Sequence, residues 1–255
     1  MTETTDKLDL QAHDIWAAFS LLTRLPVPVD HARAGARGAA AAWAFPIVGL
    51  IVGGAAGGLA ALAGWLGLPP SLAAASALAF LAVITGGMHE DGLADFADAM
   101  GGLTKERRLE IMKDSRIGAY GVVALTIALL ARWSGIGELS GWAIIFTLAA
   151  VGATSRAVMV LLMYAMPSAR ESGLSASVGK PNRTTVLVAS GIAFIVCIAF
   201  TGLSGVVLFA LVFGGALPVY WIANRTLGGQ TGDVLGAAQQ SAEIVGLAAA
   251  IALLT

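Results

Sequence analysis

Charge is what this chain most lacks. Only 12% of its residues are Asp, Glu, Lys or Arg, where a soluble domain carries about 25%. Cysteine is scarcer still: Cys197 is the only one, and it sits in an apolar run. That excludes an internal disulfide and any cysteine-based zinc spacing, and marks an inert buried thiol. With a net charge of −1 and no basic stretch interleaved with aromatics, nothing points to nucleic acid. The N-terminus does not read as a secretory signal, because Glu3, Asp6, Asp9 and Asp14 precede the first long apolar run, which begins near residue 39.

What is present is apolar. Hydrophobic residues make up 57% of the chain, and they cluster at 39–63, 71–87, 118–133, 141–165, 184–202, 205–223 and 234–254. A helix that crosses a bilayer needs about 20 residues, with roughly 17–25 as the range. The runs at 39–63, 141–165, 184–202 and 205–223 qualify, and those at 71–87 and 118–133 are marginal. The last is the weakest, interrupted by Gln239, Gln240, Ser241 and Glu243. The expectation is an all-α polytopic bundle of about six or seven spans, six if the last run is re-entrant or interfacial. Neither a repeat nor a linker divides it, so residues 1–255 form one integral membrane domain.

Ahead of the spans, Leu8, Ala12, Ile15, Phe19 and Leu22 mark one face of an amphipathic helix over 8–22, bordered by Trp16. It either lies on the membrane surface or packs on the protein's own helices, and Pro26 and Pro28 end it. Gly49, Gly53 and Gly57, like Gly54 and Gly58, recur at a spacing that lets helix backbones approach closely in lipid.

Of the 15 Lys and Arg, 13 fall before the first span or in alternate connections, and 64–70, 134–140 and 203–204 contain none. Under the positive-inside rule the N-terminus and every long loop are cytoplasmic. Arg132 borders an outer loop and Arg156 lies inside a span, where an ionised side chain is functional by default.

The chemistry begins at His89-Glu90-Asp91-Gly92-Leu93-Ala94-Asp95-Phe96-Ala97-Asp98, within the acidic motif and loop at 88–117. On a helix, Asp91, Asp95 and Asp98 share an arc of about 60°. Like charges at that spacing repel by about 0.2–0.5 kcal/mol per pair, a cost that a cation removes. Oxygen-only ligands favour Mg²⁺, which takes further ligands from water and substrate phosphates. The plain alternative is a solvated acidic loop. Glu90 joins the cation site only if the helix begins after it; His89 is a general base, a phosphate contact or a structural residue. Next, Thr104 caps an amphipathic helix up to Lys113, beyond which Lys113 and Arg116 are placed to grip phosphate oxygens. The loop after the fourth span holds Arg170, suited to a polar ligand. Finally, Gly228-Gly229-Gln230-Thr231-Gly232-Asp233, in the turn at 224–233, offers backbone N–H groups to an anion and Asp233 as a further metal ligand. All four stretches map to one membrane face, which favours a surface enzyme over a transporter with polar groups spread through the bilayer depth. Acidic residues for Mg²⁺ beside Lys and Arg fit transfer between phosphorylated substrates.

These residues resemble a known family. HEDGLADFADAMGG, KDSRIGAYG, the Ser155-Arg156 span and GGQTGDVLGA stand in the order seen in cobalamin synthases, the adenosylcobinamide-GDP ribazoletransferases, and FSLLTRLPVP followed by WAFPIVGLIVG resembles that family's start. The loop at 166–179, MPSARESGLSASVG, departs from the family's more regular arginine–glycine pattern. The resemblance implies a multi-pass enzyme of the bacterial inner membrane with its site on the cytoplasmic face. A ribose hydroxyl of α-ribazole or its 5′-phosphate would attack the diphosphate of adenosylcobinamide-GDP, releasing GMP. It further implies that Glu90, Asp91, Asp95 and Asp98 carry Mg²⁺, with Asp233 a further ligand. Lys113, Arg116 and Arg156 would neutralise phosphate charge, and His89 or an aspartate would take the proton. An oligomer is compatible with this reading. Two rivals stand beside it: a CDP-alcohol phosphotransferase, whose motif arginine is absent here since Ala94 precedes Asp95, and a cation-coupled transporter.

Overall fold

A computed structural model describes residues 9–254, apart from the side chain of Leu174. Each apolar run forms helix, because in lipid a backbone can satisfy its polar groups only within itself. In chain order the elements are α1 (His13–Leu22), α2 (His31–Arg37), a 3-10 segment (Gly38–Ala44), α3 (Phe45–Trp65), α4 (Pro70–Thr85), α5 (Met88–Ala99), α6 (Lys105–Ile111), α7 (Ala119–Gly137), α8 (Gly141–Ala165), α9 (Leu174–Val178), α10 (Arg183–Thr201), α11 (Ser204–Gly215), α12 (Leu217–Thr226) and α13 (Gly232–Leu254). Among the described residues no strand forms. Six stretches of the described residues are long and apolar enough to cross a membrane: the run that ends in α3, then α7, α8, α10, α11 with α12, and α13. Taking α4 and α5 as one broken span makes seven. The interruption therefore falls elsewhere than the sequence suggests. α13 runs unbroken through Gln239, Gln240 and Glu243, while α4 and α5 meet at 87°. Outward positions such as Val83, Trp142, Leu187 and Ile195 are apolar and exposed, as helices facing lipid require.

Two consecutive glycines make that bend. Gly86 and Gly87 have φ of +68° and +67°, where side-chain-bearing residues are strained. The Gly87 N–H donates to Ala82 O at 2.8 Å and the Gly86 N–H to Val83 O at 3.3 Å, the paired closure that satisfies the last carbonyls of a helix. α5 then starts at Met88, so the acidic motif is helical from its first residue.

α8 is the central helix, buried along most of its length. One of the two glycine ridges on α3 packs against it: a Cβ on Gly49 would lie 2.0 Å from Gly152 O, one on Gly53 2.1 Å from Leu148 O, and one on Gly57 2.6 Å from Ile145 Cα. The other ridge packs loosely: a Cβ on Gly54 would lie 3.6 Å from Ala149 Cβ, an ordinary contact, and Gly58 has nothing within 4 Å.

Of the two readings of the N-terminal helix, packing on the protein's own helices is the one observed. Ala18, Phe19 and Leu22 of α1 are buried in the common core, Trp16 stays exposed, and Leu8 lies outside the described residues. A fully buried carboxylate anchors this packing. Asp14 accepts from Arg37 Nε at 2.8 Å and Nη2 at 2.6 Å, and from Trp43 Nε1 at 2.8 Å. Burial pushes the Asp14 carboxyl up, but these donors and the Gln11 N–H outweigh it and hold it below the usual carboxylate range.

Candidate active site

Small residues bring the acidic helix against α13. A Cβ on Gly92 would sit 3.0 Å from Asp233 Cα, and one on Gly236 would sit 3.2 Å from His89 Cα. Glycine at both positions eases that close approach, which sets Asp91 and Asp95 on α5 beside Asp233 in the first turn of α13. Asp95 feels the negative charge of Asp91, Asp233 and Asp98, with Arg170 as the opposing cation. Arg170 Nη2 pairs with Asp233, which also accepts from Thr231 Oγ1 at 3.2 Å.

The loop carrying Arg170 is held by backbone pairing with the glycine turn. The Ala169 N–H donates to Gln230 O at 2.9 Å, and the Gln230 N–H to Pro167 O at 2.8 Å. Gly229 leaves room for it, since a Cβ there would lie 2.4 Å from Pro167 O. The N–H groups of Gly228 and Gln230, expected to face an anion, are thus spent within the protein. Between this loop, α1, α5, α8 and α13 opens a cleft of about 170 Å³, lined on its polar side by Asp91, Asp233, Arg170 and Ser168. His89 also lines it, buried to 1% exposure with Nε2 unpartnered.

The other expected site residues lie away from the cleft. Asp98 accepts from the Gly118 N–H at 2.7 Å and the Gly121 N–H at 2.8 Å, so both its oxygens cap the exposed start of α7. A Cβ at Gly118 or Gly121 would strike that carboxylate at 2.4 or 2.3 Å. The condition for Glu90 to join the aspartates is not met, because the helix begins before it. Its Oε1 accepts from Arg132 Nη1 at 2.8 Å and Gln240 Nε2 at 3.1 Å, on the side facing α7 and α13. Thr104 does cap α6, accepting from the Arg107 N–H at 3.2 Å. Lys113 is exposed, and Arg116, also exposed, bonds Asp114 at 2.7 Å and holds that carboxyl down to about 2. Arg156 is buried, with Nη1 2.5 Å from Glu243, and lines no part of the cleft.

Arg132, Glu243, Gln239 and Gln240 were not anticipated as a group. Arg132 bridges Glu90 and Glu243, and Glu243 bridges Arg132 and Arg156. Two arginines and two glutamates thus cancel inside the bundle, beside a void of only about 10 Å³, about the space of one water. A charged cluster thus lies within the bundle, apart from the polar groups of the cleft. A signal was there: Gln239, Gln240 and Glu243 share a face of one helix, and charges within a span pair with one another.

As the side chains stand, no three acidic, histidine or cysteine groups among the described residues are arranged to hold a metal ion. The donor chemistry nonetheless suits Mg²⁺. Asp91, Asp95 and Asp233 offer oxygen only, and this ion usually binds one or two carboxylates, completing its shell with water and phosphate.

The model of the cobalamin-5-phosphate synthase family matches residues 14–251. The chain is similar to the adenosylcobinamide-GDP ribazoletransferase of Bradyrhizobium diazoefficiens, with 43% identity covering 94% of this chain and 93% of the relative. Its namesake in Mesorhizobium japonicum is 40% identical over the same shares, and that of Citrobacter koseri 39% identical over 92% and 97%. No solved structure matches. On a match that runs nearly end to end, the chain belongs to the cobalamin-5-phosphate synthase family and is a transferase of cobalamin synthesis.

Proposed function

We propose that this protein transfers the adenosylcobinamide-phosphate group of adenosylcobinamide-GDP to α-ribazole or its 5′-phosphate, releasing GMP, in an Mg²⁺-dependent reaction. The observation that carries the proposal is the meeting of Asp91, Asp233 and Arg170 at one cleft, with Asp95 within reach of their charges, in a chain whose relatives bear the name of that activity.

The acceptor's ribose oxygen forms a bond to the phosphorus that carries the cobinamide. The bond from that phosphorus to the bridging oxygen breaks, and the electron pair leaves with GMP. The hydroxyl proton passes to His89 or to one of the aspartates at the cleft. Arg170, close to the phosphates, offsets charge that builds on their oxygens. Asp91, Asp95 and Asp233 would hold Mg²⁺, which supplies neutralisation and alignment of the diphosphate. Arg156, paired with Glu243 away from the cleft, takes no part in this step. Lys113 and Arg116 reach the substrate only if the 112–118 segment folds over the cleft. The Lys- and Arg-rich connections support a cytoplasmic position for this end of the bundle, in the inner membrane.

Purified protein in detergent or vesicles should form cobalamin, or its 5′-phosphate, from the two substrates only with a divalent cation. Full turnover in excess chelator would overturn the metal requirement, and no turnover under any condition would overturn the reaction. Cation flux into vesicles without corrinoid would favour the transporter instead.

A further inference from the structure

The cleft has two unlike halves. Apart from its carboxylates, His89, Arg170 and a few hydroxyls, its lining is apolar, with Leu22 of α1, Phe45 of α3, and Met159 and Met163 of α8. At about 170 Å³ it lies below the roughly 300–1,000 Å³ that encloses a drug-sized ligand. It therefore takes a flat fragment of a substrate and excludes a corrin macrocycle. Two polar atoms of its lining, His89 Nε2 and Arg170 Nε, are buried and carry no hydrogen-bond partner. A buried polar atom left unpaired is costly, so a ligand that supplies the partner is favoured.

We infer that this apolar half seats the aromatic base of the acceptor, the benzimidazole of α-ribazole. The inference rests on the transfer reaction proposed above. The attacking hydroxyl belongs to the sugar joined directly to that base. The surface that holds the base must therefore begin within one sugar's length of the reacting phosphorus, and Asp91 and Asp233 line the same cleft. Methionine thioethers make favourable contacts with aromatic rings and adapt to their shape. A benzimidazole glycoside has one free ring nitrogen and needs one donor, which His89 supplies in its Nε2–H tautomer. That assignment leaves the proton of the attacking hydroxyl to an aspartate. Guanine, the other base in the reaction, carries donors and acceptors along its edge that a methionine and phenylalanine wall would strand.

Filling the wall tests the inference. Met163→Trp and Met159→Phe should each raise the KM for α-ribazole at least tenfold while leaving the KM for adenosylcobinamide-GDP within twofold. A rise in the donor's KM with the acceptor's unchanged would overturn the inference, as would no change in either from a folded variant. The wild-type protein gives a second reading through calorimetric titration with α-ribazole and with the riboside of imidazole, which lacks the second ring. Affinity should fall at least tenfold for the smaller base, and equal affinities would overturn the inference. Absence of turnover by the wild type would defeat the transfer reaction, while the titration still reports on the cleft.

Discussion

Arg132 of α7 and Glu243 of α13 form a buried ion pair, Nη2 to Oε2, at 2.9 Å. The other amino group of Arg132 lies 2.8 Å from Glu90, one residue from Asp91. The acidic helix is thereby tied to the bundle through the neighbour of its first aspartate. These charges, neutralised inside the bundle, add to the close packing of α5 on α13.

Removing one member of such a group leaves a buried charge uncompensated, which costs about 3–5 kcal/mol. Arg132→Met should destabilise the protein by that amount in unfolding experiments in detergent. The double variant Arg132→Met with Glu90→Gln should recover a large part of the loss, because the stranded charge is gone. Equal losses in the two would mean that the Glu90 contact contributes nothing.

Asp91 is exposed at the cleft and Asp95 half-buried beside it, so neither supports the fold. Ala at either position should lower turnover by about 10²–10³, the loss typical of removing one group that stabilises transition-state charge, with the melting temperature unchanged. Asp98 should behave differently. Asp98→Ala removes the acceptor of two backbone N–H groups of α7 and should cost about 1–2 kcal/mol of stability. Thermal melts beside initial rates separate the two kinds of aspartate.

The two glycine ridges of α3 make a paired test. Gly53→Ala drives a methyl group into Leu148 O and should cost about 1–3 kcal/mol by overpacking. Gly58→Ala meets nothing within 4 Å and should gain up to about 1 kcal/mol through helix propensity. Melting temperatures that move together would show that the α3–α8 contact is looser than the backbone spacing requires.

The Asp14 carboxyl is depressed in the folded protein, so the folded state binds fewer protons there than the unfolded state. Its contribution is complete above the unfolded value near 3.8 and is lost as pH falls through the folded value. Unfolding measured from pH 5 downward should show stability dropping as pH falls below the unfolded value near 3.8, and Asp14→Asn should flatten that dependence. An unchanged slope in the variant would place the acid sensitivity elsewhere.

Most of the membrane helices are legible in the residue order, because twenty apolar residues in lipid have one way to satisfy their backbone. The weakness assigned to the last run was misplaced for a physical reason. Gln239, Gln240 and Glu243 oppose a span only while they face lipid, and in the bundle they face Arg132 and Arg156. The break at Gly86-Gly87 was hidden because uncharged glycine does not interrupt an apolar run as a charge does, while permitting a left-handed turn.

Helical periodicity alone put Asp91, Asp95 and Asp98 on one face, and the order of motifs alone pointed to the family. Local spacing cannot say which carboxylates are free, because that depends on partners far along the chain. Only the tertiary structure turned Asp98 to the start of α7 and Glu90 to Arg132. It also brought Asp233, 142 residues beyond Asp91, up to the acidic helix through the contact of Gly92 and Gly236.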